Sequence, residues 1–125
     1  MIILDSSCLL AIIFQEPGIE KAVATLHNAV ISSVNVVEVI SRQADRGMDR
    51  ALALSNYRDF EVPSVPFDET LAILAGELRA MTRHRGLSLG DRACLALAIR
   101  ENATAVTADR KWADLDVGCK IELIR

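Results

Sequence analysis

Short apolar segments alternate with longer stretches of helical periodicity along the chain, and this alternation limits the possible folds more than any other feature. Ile2–Leu4 is apolar on both faces, as a central strand of a parallel sheet must be. Residues 29–31 and 104–107 repeat this short apolar pattern later in the chain. Strands that alternate with helices predict a doubly wound α/β fold, with helices on both sides of a central parallel sheet.

Helix caps and chain breakers place the remaining elements. Pro17-Gly18 separates the first two helices, and Pro63 and Pro66 limit the third strand, within residues 60–67, to a short or edge position. The alternating residues 119–123 predict a half-exposed last strand. The predicted helices cover about residues 7–15, 19–27, 33–47, 48–59, 69–85 and 89–101, with Ser6 or Ser7 capping the first. With 125 residues and no repeats or linkers, we expect one domain spanning residues 1–125.

Charge and cysteine usage limit the setting and the ligands. The net charge of −3 gives no bulk attraction for nucleic acid, so phosphate contacts would need bound cations or a local basic patch. The densest basic cluster, within residues 79–85, lies at a helix end and is explained by the helix dipole. Three cysteines without CxxC spacing predict reduced thiols, and the longest apolar run, residues 8–14, is too short to cross a membrane. We therefore expect a cytoplasmic protein.

Carboxylates fall at the ends of the predicted elements. Asp5 follows the first strand and Asp109 follows the fourth. In a sheet ordered 3-2-1-4-5 these strands are neighbours, and the crevice above their carboxyl ends would hold both side chains. Asp91, at a helix start, and Glu38, one turn into its helix, can face the same crevice.

Several carboxylates in one crevice repel each other. Two unit charges a few ångströms apart cost roughly 4 kcal/mol at the effective dielectric of a protein surface. A divalent cation removes that cost, and oxygen ligands suit Mg²⁺ or Mn²⁺. This pattern predicts a metal site that acts on a phosphate group.

Each of these acids also has an ordinary structural explanation. Asp5 and Asp109 follow strands, where an aspartate often caps the next helix. Ser88 and Asp91 have the spacing of a capping box, and Glu38 could pair with Arg42 one helical turn later. Placement alone leaves both explanations open.

Four segments, taken together, resemble the PIN domain and in particular the VapC-type toxins. They are IILDSS with Asp5, SSVNVVEV with Glu38, LSLGDRACLALA with Asp91 and VTADRKW with Asp109. The likeness covers essentially the whole chain, including the order of the elements. It implies a PIN-like three-layer fold with a central parallel sheet ordered 3-2-1-4-5 and a four-carboxylate Mg²⁺ or Mn²⁺ site that cleaves RNA.

The resemblance also implies roles for these residues. Asp5, Asp91 and Asp109 would hold the ions directly or through water, and Glu38 would be a ligand or would orient the attacking water. Around them, Ser6, Arg92 and Thr107 are candidates for contacts to the substrate or to the site carboxylates, and Asp114 is a candidate outer carboxylate.

The resemblance implies partners as well. VapC-type toxins generally form homodimers and are silenced by a cognate VapB-type antitoxin. The nearly all-apolar helix at residues 9–14 would suit an antitoxin groove, although packing against the sheet explains it equally well.

Other α/β proteins of similar length fit less well. A response-regulator receiver needs an acidic pair at the end of strand one, where Asp5 stands alone, and a haloacid-dehalogenase phosphatase needs a second aspartate where Ser7 stands. A PIN-like binding module without catalysis is the remaining alternative, and the presence of all four acids argues against it.

Overall fold

The predicted parallel sheet is confirmed in the computed structural model, which describes all 125 residues. Every strand pair is parallel, and the strand order is 3-2-1-4-5. This order excludes the receiver alternative, because receivers have the order 2-1-3-4-5. The strands are β1 (Ile2–Leu4), β2 (Ala29–Ser32), β3 (Ser64–Val65), β4 (Thr104–Thr107) and β5 (Lys120–Leu123).

Six α-helices connect the strands, close to their predicted positions. Two predicted helices end earlier than expected, because their last residues form 3-10 turns at 26–28 and 83–85. A third 3-10 turn covers Arg110–Trp112. The helices are α1 (Ser6–Ile13), α2 (Ile19–Thr25), α3 (Ser33–Asp45), α4 (Arg50–Arg58), α5 (Glu69–Thr82) and α6 (Leu89–Arg100).

The predicted cap of the first helix is wrong. The N-cap residue of α1 is Asp5, one residue earlier than expected, and its side chain makes no capping hydrogen bond. The two serines do not cap the helix either, since Ser6 donates to Glu38 and Ser7 donates to Asp5. These side chains therefore contact Glu38 and one another instead of capping the helix.

Strand β1 is buried on both faces, as its composition predicts. Ile3 belongs to the core between the sheet and α5 and α6, together with Leu95 and Trp112. Leu4 belongs to the core on the opposite face, together with Leu9 of α1. Residues 8–11 of α1 are buried, so this apolar helix is mainly core.

The edges of the sheet agree with the sequence. Strand β3, beside the two prolines, is a two-residue edge strand, and β5 alternates between exposed and half-buried residues. None of the helices combines the length and the apolar character that crossing a membrane requires.

The pairing of β1 with β4 determines where the acidic residues emerge. Leu4 lies opposite Val106, and the Asp5 N–H donates to the Val106 carbonyl at 2.9 Å. Because the strands are parallel, their carboxyl ends open onto the same edge of the sheet. Asp5 and Asp109 are thereby brought to one side of the molecule.

Two glycines with positive φ provide a matched test of how tightly the segment around Ile124 packs against Gly18. Gly18 has φ +98°, and a Cβ there would lie 2.7 Å from the Ile124 carbonyl oxygen, whereas Gly47 has φ +86° and no atom within 4 Å of that position. Each alanine substitution should lower the free energy of unfolding by about 1–2 kcal/mol, because alanine is strained in the left-handed conformation. We expect Gly18→Ala to lose about a further 1–3 kcal/mol, because backbone must move to relieve the clash.

Urea unfolding of both variants measures the difference. Equal losses would show that the segment around Ile124 shifts freely, contrary to this prediction.

Candidate active site

All four predicted carboxylates line one cavity. Asp5, Glu38, Asp91 and Asp109 surround a space of about 360 Å³ at the carboxyl ends of β1 and β4. A larger, more open cavity of about 650 Å³ lies near Met1 and Asn28, toward the other ends of the strands, but its lining is mostly apolar and contains a single acid. The chemistry therefore points to the smaller cavity.

Asp5 is held by two hydroxyl groups. Ser7 Oγ donates to Asp5 Oδ2 at 2.6 Å, and Thr107 Oγ1 donates to the same oxygen at 2.8 Å. Thr107 Oγ1 also accepts from the Asp109 N–H at 3.0 Å, which ties the two acidic segments together. The other oxygen of Asp5, Oδ1, accepts no hydrogen bond and is free for a ligand.

Glu38 is held by a network that sequence reasoning missed. Its Oε1 accepts from Ser6 Oγ at 2.9 Å and from Asn35 Nδ2 at 2.8 Å. The same Asn35 nitrogen donates to the Gly90 carbonyl at 3.1 Å, so this fully buried amide joins α3 to α6. A Cβ on Gly90 would lie 2.4 Å from Glu38 Oε2, so only glycine leaves room for the carboxylate.

Asp91 and Asp109 each use one oxygen to cap a turn. Asp91 Oδ2 accepts from the Ser88 N–H at 2.9 Å, which completes the predicted capping box. Asp109 Oδ1 accepts from the Lys111 N–H at 2.9 Å. Capping and cavity lining therefore coexist in both residues, since each keeps its other carboxylate oxygen free of hydrogen bonds.

Burial and mutual repulsion raise the pKa values of two of these acids. Desolvation is the largest cause that raises the pKa of Asp5 to about 6; the hydrogen bonds from Ser7 and Thr107 oppose it, and the charges of Asp91 and Glu38 add to it. Desolvation likewise raises the pKa of Asp91 against the hydrogen bonds of Ser88, and the charges of Asp109 and Glu38 contribute. No ion pair reaches any of the four carboxylates.

The donor set fits a hard divalent cation, although the side chains are not closed around one. No group of three or more acidic, histidine or cysteine side chains is arranged so that it could hold a metal ion. Capping hydrogen bonds fix one carboxylate oxygen of Asp91 and one of Asp109. Each of the four still offers a free oxygen to the cavity, which is the ligand type that Mg²⁺ and Mn²⁺ prefer.

The structure brings only some of the secondary candidates to the site. Ser6 lines the cavity, and Thr107 acts through Asp5. Arg92 is not at the site, because its guanidinium donates to the Ala75 carbonyl of α5 at 2.9 Å. Asp114 is not there either, since Arg85 binds its carboxylate and lowers its pKa.

The alternative explanation of Glu38 is also wrong. Glu38 makes no ion pair with Arg42, because Ser6 and Asn35 hold its carboxylate instead. Ser7, Asn35 and Gly90 are the site residues that sequence reasoning missed. The only sequence signal for them is their position next to, or within one turn of, the predicted acids.

A comparison with protein families matches the PIN domain over residues 2–118. A comparison with curated proteins finds no match.

Solved structures share the fold over nearly the full chain. A VapBC2 complex from Rickettsia felis, bound to a DNA fragment from the promoter, is 22% identical with a TM-score of 0.77, and covers 98% of both chains. A DNA-bound VapBC from Salmonella typhimurium is 22% identical with a TM-score of 0.76, covering 99% of this chain and 98% of that one. VapBC-5 from Mycobacterium tuberculosis is 21% identical with a TM-score of 0.64, covering 98% and 96%. At these identities the likeness establishes the fold.

The raised pKa of Asp5 predicts a pH-dependent stability. Its folded pKa of about 6 lies above the usual aspartate pKa of 3.8, so the folded state binds more protons between these values. The free energy of unfolding should therefore fall as pH rises from about 4 to about 6 and then level off. Asp5→Asn removes the buried charge, and we expect it to be more stable than wild type by at most about 3 kcal/mol at pH 7, with no difference below pH 4.

Urea unfolding at several pH values tests this, with the exposed Asp59→Asn as the control. A variant less stable than wild type at pH 7 would contradict the prediction.

Alanine substitution of Gly90 tests the space beside Glu38, and Gly76, another helical glycine, serves as its control. Gly76 in α5 has no atom within 4 Å of a built Cβ, so Gly76→Ala should raise the free energy of unfolding by about 0.5–1 kcal/mol through helix propensity. Gly90→Ala carries the same propensity gain, but its methyl group must displace the Glu38 carboxylate from Ser6 and Asn35. We expect a net loss of about 1–3 kcal/mol.

Thermal or urea unfolding compares the two variants. Equal stabilisation by both would show that Glu38 moves aside at no cost.

Proposed function

Because the chain belongs to the PIN domain family, which is a family of nucleases, we propose that it is an endoribonuclease that uses Mg²⁺ or Mn²⁺ to hydrolyse RNA phosphodiester bonds. The observation that carries this proposal is the single cavity lined by Asp5, Glu38, Asp91 and Asp109, with no protein cation paired to any of them. Such a concentration of negative charge is unfavourable unless a cation enters.

The free carboxylate oxygens support a proposal for the metal ligands. Asp5, Asp91 and Asp109 would hold the cation, with Glu38 as a further ligand or as the group that orients the attacking water. When bound, a divalent cation would neutralise charge that builds on the phosphoryl group and acidify a water molecule. RNA, rather than another phosphodiester, follows from the resemblance to VapC-type toxins.

The chain's own residues position these groups. The hydroxyls of Ser7 and Thr107 fix Asp5 Oδ2, so that Oδ1 faces the ligand. Ser6 and Asn35 hold Glu38 Oε1, which leaves Oε2 to accept a hydrogen bond or a proton from the water that attacks phosphorus. These contacts within the protein fix one oxygen of each acid, which contributes to the preorganisation of the site.

The biological role that we propose is the toxin of a VapBC-type toxin–antitoxin system, as a single PIN domain that acts in the cytoplasm. The similar VapBC structures named above support a VapB-type antitoxin as partner. A homodimer is proposed from the resemblance to VapC-type toxins alone. The free thiols of Cys8, Cys94 and Cys119 suit a reducing compartment.

Substitution of the acids tests the reaction. Asp5→Asn and Asp91→Asn keep the side-chain shape but remove a charged ligand, and we expect each to reduce RNA cleavage by about 100-fold or more. The matched control is Asp59→Asn, an exposed residue outside the cavity that should keep wild-type activity. Cleavage of a panel of cellular RNAs is measured with Mg²⁺, with Mn²⁺ and with chelator.

The outcomes separate the alternatives. Metal-dependent cuts that both cavity variants lose support the nuclease. Equal cleavage by wild type and both variants points to a contaminant, and RNA binding without cleavage under all conditions favours the binding module.

A further inference from the structure

A second cavity adjoins the carboxylate site. It has a volume of about 280 Å³ and lies beside α1 and α3. The two cavities share Ser7, Leu10 and Arg42 in their linings, so they form one continuous depression. The lining of this second cavity contains three arginines, Arg42, Arg46 and Arg125, and we call it the arginine groove.

Arg42 is the cation at the junction of the two cavities. It is exposed, and it makes neither an ion pair nor a side-chain hydrogen bond. The acid one turn before it, Glu38, is already held by Ser6 and Asn35. The guanidinium of Arg42 therefore keeps all its donors for a ligand.

Arg46 continues the line away from the site. Glu38 and Arg42 are four residues apart on α3, and Arg46, four residues further on, lies just at the end of the helix. Residues with this spacing lie on one helix face, with about 6 Å between neighbours. The guanidinium carbon of Arg46 lies 4.1 Å from the centre of the Phe14 ring. This cation–π contact holds the side chain in the groove without using its hydrogen-bond donors.

The acids of the groove do not cancel these charges. Glu16 is paired with Arg125 at 3.5 Å, and Arg125 also donates to the Pro17 carbonyl. Asp45 lines the groove without an ion pair, so two free arginines face one free acid. The groove is therefore locally positive in a chain whose net charge is −3.

We propose that the arginine groove binds the phosphodiester backbone of the RNA strand next to the bond being cut, with Arg42 and Arg46 each contacting a phosphate. This rests on the proposed nuclease function. A strand whose scissile phosphate lies among four carboxylates must leave the cavity over a neighbouring surface, and the groove provides a continuous positive one. Guanidinium groups are well suited to phosphate because they donate in a planar fork.

Paired double variants test the groove in the full-length protein. Arg42→Ala/Arg46→Ala removes the two free cations, and Arg50→Ala/Arg58→Ala removes the same charge from exposed positions on α4 outside both cavities. For a single-stranded RNA long enough to extend beyond the cavity, we expect the groove variant to raise KM by about tenfold or more with little change in kcat. The control variant should keep the wild-type KM for the same RNA, because its two positions lie outside both cavities.

Binding without metal provides a readout that is independent of cleavage. Fluorescence anisotropy of a labelled single-stranded RNA in chelator should show weaker binding by the groove variant and wild-type binding by the control variant. For the groove variant, the slope of log association constant against log salt concentration should become shallower by about 1.4, because two phosphate contacts are lost. Thermal unfolding confirms that both double variants fold, since alanine is favourable at exposed helix positions.

The possible results separate this inference from the proposed function. If wild type cuts no RNA but only the groove variant loses RNA affinity, the nuclease proposal fails and the groove stands. If the groove and control variants have the same KM and the same affinity, the groove proposal is overturned, and a protein partner becomes the better explanation of this surface.

Discussion

The carboxylate of Asp5, buried at the end of the central strand, is the constraint on which the rest of the site depends. Its charge is unfavourable there, because desolvation and the neighbouring acids raise its pKa to about 6. The parallel pairing of β1 with β4 nevertheless fixes it at the point where the other acidic segments emerge. The hydroxyls of Ser7 and Thr107 lower its pKa only in part. The fold thus holds a charged group that its own hydrogen bonds stabilise only in part.

The surrounding residues keep this unfavourable arrangement in place. The Asn35 amide links Glu38 to the Gly90 carbonyl, and the missing side chain of Gly90 gives the carboxylate its space. A side chain on Gly90 would relieve the crowding of negative charge by displacing Glu38, but it would also dismantle the site. Destabilisation at a functional site is a common cost of preorganisation. The capping bonds of Asp91 and Asp109 act similarly, because they fix one oxygen of each acid and leave the other free.

The sequence predicts the site residues that strand topology positions, but it does not reveal those that the packing of helices positions. The common location of Asp5 and Asp109 is predictable because each follows a strand, and neighbouring parallel strands end at one edge of the sheet. Asn35 and Gly90 could not be recognised, since their role arises only where α3 meets α6. Arg92 was misplaced because adjacency to Asp91 in sequence puts it about 100° around the helix, where it contacts α5 instead.

An acidic nuclease must attract a polyanion without losing its acidic centre. In this chain the four acids line one cavity, and the free arginines line the groove that adjoins it. The four carboxylates of the cavity repel a phosphate as long as their charges are uncompensated. The guanidiniums of Arg42 and Arg46 line the adjoining groove, and neither forms an ion pair with a cavity carboxylate. An ion pair between Arg42 and Glu38 would take an acid from the proposed metal site and the junction cation from the proposed RNA groove. Ser6 and Asn35 hold Oε1 of Glu38 instead, and no ion pair forms between its carboxylate and Arg42, so both charged groups stay available.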